Sequence, residues 1–92
     1  MHLLITYDIV SDKRRKKIDK LLSEYGFRVN YSVFELEVTA SKYDMLCEAL
    51  SSLMGTRDSV RIYRHSKESI KKSIELNPKL PHPFSKEESY VL

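Results

Sequence analysis

Arg28-Val29-Asn30-Tyr31-Ser32-Val33-Phe34-Glu35-Leu36-Glu37-Val38 is the stretch on which the architecture of this 92-residue chain turns. It is β-prone and free of glycine and proline, but its alternation changes phase. Val29, Tyr31 and Val33 share one parity; Phe34, Leu36 and Val38 take the other. Eleven residues are also long for a strand in so small a chain. The slip near residues 32–34 therefore means two strands joined by a tight bend, or one strand broken by a bulge. No Asn-Gly or Gly-Gly pair marks the turn.

Elements on either side give the stretch its context. Upstream, Ile18, Leu21, Leu22 and Tyr25 recur at helical spacing behind a cap at Ser11 or Asp12, and Gly26 is the expected stop, giving a helix over residues 12–25. Before it, Met1-His2-Leu3-Leu4-Ile5-Thr6-Tyr7-Asp8-Ile9 reads as a central strand. Leu3, Ile5 and Tyr7 fall on one face, Leu4, Thr6 and Asp8 on the other, and neither face is clearly polar. Downstream, Ser41-Lys42-Tyr43-Asp44 has the form of a capping box, and Tyr43, Leu46, Cys47, Leu50, Leu53 and Met54 keep helical period as far as Gly55. Asp58 to Tyr63 gives one more strand, with Val60 and Ile62 facing one way and Arg61 and Tyr63 the other.

The order β-α-β-β-α-β favours an α+β fold, a ferredoxin-like plait with both helices on one side of an antiparallel sheet. That leaves the other side open although strand one offers apolar residues to both, a mismatch that a symmetric homodimer would resolve. Residues 1–65 form the expected core. Residues 66–92 read as a C-terminal arm of the same domain (1–92). Lys67 to Leu76 could make a weak helix, Pro78, Pro81 and Pro83 punctuate an extended segment, and Tyr90-Val91-Leu92 suits an extra strand docking on a sheet edge.

Composition narrows the function classes. Apolar residues at 41% and charged residues at 32% are globular values, not those of a disordered chain. No apolar run reaches membrane-span length and nothing resembles a signal peptide, so the expectation is a cytoplasmic protein with no membrane association. The lone Cys47 reads as a packed thiol. His2, His65 and His82 lack zinc-like spacing, and there is no Gly-rich phosphate loop or nucleophile elbow. Net charge is +3, and six of the sixteen Lys and Arg residues lie between Lys13 and Lys20, which points to a polyanionic partner. Those cations crowd the start of a helix, where the dipole disfavours them by about 0.3–1 kcal/mol each. Lys13/Lys17 and Lys16/Lys20 repel at four-residue spacing. An external phosphate at that helix start would relieve both costs. On the helical wheel Arg14 and Arg15 share the side of Ile18 and Leu22, flanking the strand end where Asp8 emerges, while Lys13, Lys16 and Lys20 face solvent. Asp8 is then either a turn residue or, paired with its copy across a dimer axis, a ligand for a hard cation such as magnesium. Tyr7, Tyr31 and Phe34 either stack on bases or belong to the core.

Thr6-Tyr7-Asp8-Ile9, Arg14-Arg15, Tyr25-Gly26, Arg28-Val29, Ser32-Val33-Phe34-Glu35 and Asp58-Ser59-Val60-Arg61-Ile62-Tyr63 occur in an order and spacing that resemble the small CRISPR-associated spacer-acquisition proteins, the smaller of the two universal adaptation proteins. The resemblance covers residues 1–65 and implies a ferredoxin-like homodimer in which the two copies of Asp8 bind magnesium, Mg2+. It implies Asp8 and Tyr7 as catalytic residues, and Arg14, Arg15, Lys17, Arg28 and Phe34 as nucleic-acid-binding ones. Lys17 stands where some members have arginine, and Asn30 where glutamine is usual. The activities implied are endonuclease action on single-stranded RNA or double-stranded DNA and a complex with the larger integrase. A purely structural, non-catalytic DNA-binding adaptor is the alternative, and a ferredoxin-like regulatory module binding a small ligand or RNA is a third reading.

Overall fold

The phase slip is a hairpin. In a computed structural model, which describes residues 1–74 and 76, the chain runs β1 (His2–Asp8), α1 (Asp12–Ser23), β2 (Gly26–Asn30), β3 (Val33–Glu37), α2 (Ala40–Leu53), β4 (Ser59–His65) and α3 (Lys67–Lys72). Asn30 pairs with Val33 across the two-residue turn Tyr31-Ser32, and the β2–β3 register shifts between Arg28 and Asn30. Bend and bulge are therefore both present. The bulge at Val29 takes up the odd residue that put the two halves of the stretch out of phase.

The four strands form one antiparallel sheet in the order β2-β3-β1-β4. Cross-strand partners share a face, so the pairs Leu3–Leu36 and Ile5–Phe34 place four apolar side chains and Tyr7 on the helical side. There they meet Ile18 and Leu22 of α1 and Leu46 and Leu50 of α2 in one buried cluster. Burying each large aliphatic or aromatic side chain contributes about 1.5–3 kcal/mol, so this one-sided layer is the main reason the helices lie where they do. The opposite face carries the row Phe27–Glu35–Leu4–Tyr63. Phe27 and Tyr63 remain 48% and 45% exposed, while Glu35 and the neighbouring His2 are buried. α3 packs beside β4 and buries Ile70 completely.

Three boundaries differ from expectation. α1 ends at Ser23, two residues before Tyr25, with Glu24 as C-cap in right-handed conformation; the Glu24 N–H donates to Leu21 O and the Tyr25 N–H to Leu22 O. Gly26 is thus not the helix stop but the first residue of β2. A Cβ there would sit 2.2 Å from the Glu35 carbonyl oxygen, so glycine is required by the close approach of β2 to β3. α2 is capped by Thr39, whose hydroxyl accepts from the Lys42 N–H at 3.3 Å. Ser41, expected as the cap, lies in the first turn, because the chain leaving β3 is still extended at Thr39. The weak helix after residue 66 is the short α3, ending at Lys72 rather than Leu76. The expected strand at Tyr90–Leu92 lies outside the described residues. Among those residues, no helix is long and apolar enough to cross a membrane.

Candidate functional site

Four chain segments meet at one pole of the sheet: the end of β1, the β2–β3 turn, the start of β4 and the start of α1. Tyr7 and Asp8 are consecutive there, so strand geometry sends them to opposite faces. Asp8 is exposed on the open face, directly across from Ser59, and Thr6 faces Arg61 two pairs inward. Thr6, Tyr7, Asp8, Ser59 and Arg61 line a shallow groove. A wider cleft, with His2, Glu37, Lys42 and His65 in its wall, lies at the other pole and shares no residue with this one.

Tyr7 points the other way, into a knot on the helical side. Its hydroxyl donates to Asp19 Oδ1 of α1, and Asp19 Oδ2 pairs with the Arg28 guanidinium at 3.1 Å. Arg28 in turn lies over the Phe34 ring, 5.0 Å from its centroid, and donates to the Tyr31 carbonyl oxygen. The rings of Tyr7 and Phe34 stack with centroids 6.3 Å apart. Burial, and then the hydrogen bond to the Asp19 carboxylate, push the Tyr7 phenol well above its ordinary value; it stays protonated and donates. The knot ties β1, α1 and the β2–β3 hairpin together.

The arginines of α1 are also engaged within the chain. Arg14 Nε donates to Asp58 Oδ2 at 2.7 Å, and the same carboxylate accepts the Val10 N–H at 2.9 Å and the Gly55 N–H at 2.7 Å. The Asp58 side chain is completely shielded from solvent. These donors, the guanidinium first and the two backbone N–H groups next, hold its carboxyl far below the usual carboxylate range. Gly55 makes room for the clamp, since a Cβ there would come within 2.8 Å of the Arg14 guanidinium. Arg15 pairs with Asp12 at 2.6 Å and donates to the Ile9 carbonyl oxygen at 3.2 Å. Lys13, Lys16, Lys17 and Lys20 are exposed, at a spacing that puts them along one side of α1.

Tyr7, Arg28 and Phe34, singled out in the sequence, are therefore brought together, while Asp8 lies on the other face and Lys17 stands on the outer surface of α1. Arg14 and Arg15 flank the loop that leaves β1. Sequence reasoning passed over three residues that the geometry brings forward: Asp19, Asp58 and Arg61. A signal existed for each. Asp19 adjoins the buried Ile18, Asp58 opens the last strand's motif, and the parity of β4 sets Arg61 opposite to Val60 and Ile62.

The groove offers only oxygen donors beside Arg61, which suits magnesium, but one chain brings a single carboxylate. Among the described residues, no group of three or more His, Cys, Asp or Glu could hold a metal ion. The donor set fits magnesium only when a second copy adds its own carboxylate.

The family model described as "CRISPR associated protein Cas2" matches residues 1–73. The CRISPR-associated endoribonuclease Cas2 1 of Chloroflexus aurantiacus is 39% identical, and the alignment spans 100% of both chains. A second relative, the CRISPR-associated endoribonuclease Cas2 3 of Synechocystis sp., is 46% identical over 65% of this chain and 66% of its own. Among solved structures, Streptococcus pyogenes Cas2 at pH 6.5 superposes with a TM-score of 0.73 at 31% identity, covering 84% of this chain and 100% of the other. A chain of a partial Cas6-RT-Cas1–Cas2 complex superposes equally well, with a TM-score of 0.73 at 32% identity over 87% and 93% of the two chains.

Proposed function

The chain belongs to the CRISPR-associated Cas2 family, and on that premise we propose that it is a spacer-adaptation protein that binds nucleic acid beside a larger integrase and cleaves phosphodiesters with magnesium. The observation that carries the reading is the exposed Asp8 at the end of β1, next to a helix start crowded with cations. The relatives' names as endoribonucleases support cleavage of RNA, and the neighbour from a Cas1–Cas2 complex supports an integrase partner. The active form is a homodimer. Phe27, Leu4 and Tyr63 share one row of the open face, and a second sheet laid over that face would cover them.

In that dimer Asp8 and Asp8 of the partner subunit would hold a magnesium ion. The ion, when bound, supplies positive charge that favours ionisation of an attacking water and offsets charge developing on the phosphate. Tyr7 acts from the other face as a positioning residue. Its phenol fixes Asp19, and through Asp19 it fixes Arg28 and the hairpin that borders the groove. The exposed lysines of α1 attract the sugar-phosphate backbone without reading bases.

A second reading, the non-catalytic DNA-binding adaptor, is favoured by those lysines, which suit a long duplex as well as a cleavable strand. One experiment divides the two. Asp8→Asn is assayed for cleavage of single-stranded RNA and double-stranded DNA with magnesium, and in parallel for spacer integration with the larger integrase. Cleavage is expected to fall to background while integration persists. Cleavage that survives the substitution removes Asp8 from the chemistry, and absence of cleavage in the unaltered dimer leaves the adaptor role alone.

A further inference from the structure

We propose that Arg61 is the phosphate-binding residue of the Asp8 groove: its guanidinium takes the non-bridging oxygens of the phosphodiester presented to Asp8. This rests on the nucleic-acid reading above and deepens it at the same site.

Three arginines near this pole stand out from the sequence, and each is committed within the chain: Arg14 to Asp58, Arg15 to Asp12, Arg28 to Asp19. Arg28 is moreover on the helical face, because it pairs with Phe34, and the sheet separates it from Asp8. Arg61 differs on every count. It lines the same groove as Asp8, is exposed, and among the described residues has no ion-pair partner. Its cross-strand partner is Thr6, two pairs away from Asp8–Ser59 and next to that pair on the same face. That makes Arg61 and Asp8 diagonal neighbours on one face, about 7–8 Å apart in a regular sheet with their Cβ atoms somewhat closer.

The two charges do not neutralise each other, so both stay available to a ligand that is itself anionic and carries a cation. A phosphodiester with a divalent ion is such a ligand: its oxygens can accept two parallel N–H bonds from a guanidinium while the ion meets the carboxylate. In the dimer, two copies of Arg61 would offset the repulsion between two carboxylates drawn to one axis.

The test is direct binding without metal. A short fluorescein-labelled single-stranded RNA and a labelled DNA duplex are titrated in EDTA across a salt series by anisotropy, with the unaltered protein, Arg61→Ala, Arg61→Gln and Arg61→Lys. We expect Arg61→Ala and Arg61→Gln to bind roughly tenfold more weakly. Their plots of log affinity against log salt should flatten by about 0.7 for RNA and 0.9 for duplex, the loss of one phosphate contact. Arg61→Lys should keep the slope and recover part of the affinity. Arg61→Gln retains a long polar stem on the strand, so a folded Gln variant keeps the test valid should the Ala variant melt early. If the unaltered protein binds and all three variants match it in affinity and slope, Arg61 has no such role while the nucleic-acid reading stands. If the unaltered protein binds neither RNA nor duplex, both statements fall together.

Discussion

Tyr7 and Asp8 are joined by one peptide bond and belong to two different regimes. On the helical side, the charges and polar atoms of Tyr7, Asp19 and Arg28 satisfy one another, and aromatic contacts with Phe34 close the set. On the open side, Asp8 and Arg61 share a groove and make no ion pair with each other. The first group spends its interactions on holding three elements together; the second keeps them for something not of this chain. Residues that lose activity when replaced can therefore do so for unrelated reasons, and stability measurements tell the reasons apart.

The sharpest way to break this contrast is Phe34→Ala. Phe34 is fully buried, and its truncation should cost about 3–5 kcal/mol of unfolding free energy, read as a shift in the urea midpoint. A cost below about 1 kcal/mol would mean that the helical-side knot is not a structural unit. Next comes Tyr7→Phe, which removes a hydrogen bond to a carboxylate and should cost about 1.5–3 kcal/mol. It also has a spectroscopic signature. Burial and the Asp19 carboxylate raise the Tyr7 phenol, so an alkaline titration should contain a late phenolate component. The late component should vanish in Tyr7→Phe.

A third effect appears only in acid. The Asp58 carboxyl is lowered from its ordinary 3.8 by Arg14, Val10 and Gly55, so below that value the unfolded chain binds a proton that the folded one does not. Stability from this clamp is fully present above pH 3.8 and is lost as pH falls toward the depressed value. Asp58→Asn should flatten the dependence of unfolding free energy on pH in that window; an unchanged slope would show that the clamp does not govern acid unfolding. The smallest effect belongs to Asp8→Asn, which should leave stability within about 0.5 kcal/mol while abolishing cleavage. A large loss of stability there would erase the distinction between the two sides.

Most of the fold was legible because apolar periodicity reports which face is buried. The period of two in β1 and β4 and the helical spacing of Ile18, Leu22, Leu46 and Leu50 all correspond to the observed core. The phase slip at residues 32–34 located the hairpin, though not which of bend or bulge produced it, because each shifts parity by the same step. Gly26 misled for a physical reason: a glycine near a helix end looks the same in sequence whether it serves the helix or a close strand neighbour. The site was legible only in part. A carboxylate at a strand end and a run of cations are visible in the sequence, but the ion-pair partners of Arg14 and Arg28 are Asp58 and Asp19, 44 and 9 positions away in the chain. Which arginine is occupied and which is free is therefore a property of the folded chain.

The shielding of Asp58 has a consequence for handling the protein in concentrated electrolyte. Mobile ions weaken attraction between groups bathed in solvent over a distance of about 8 Å at physiological ionic strength, but they do not enter a carboxylate closed off by a guanidinium and two backbone amides. Nucleic acid gripped by the outer lysines of α1 should therefore come away at ionic strengths that leave the join between α1 and the α2–β4 loop intact. A high-salt wash would then release bound polynucleotide from a chain that is still folded.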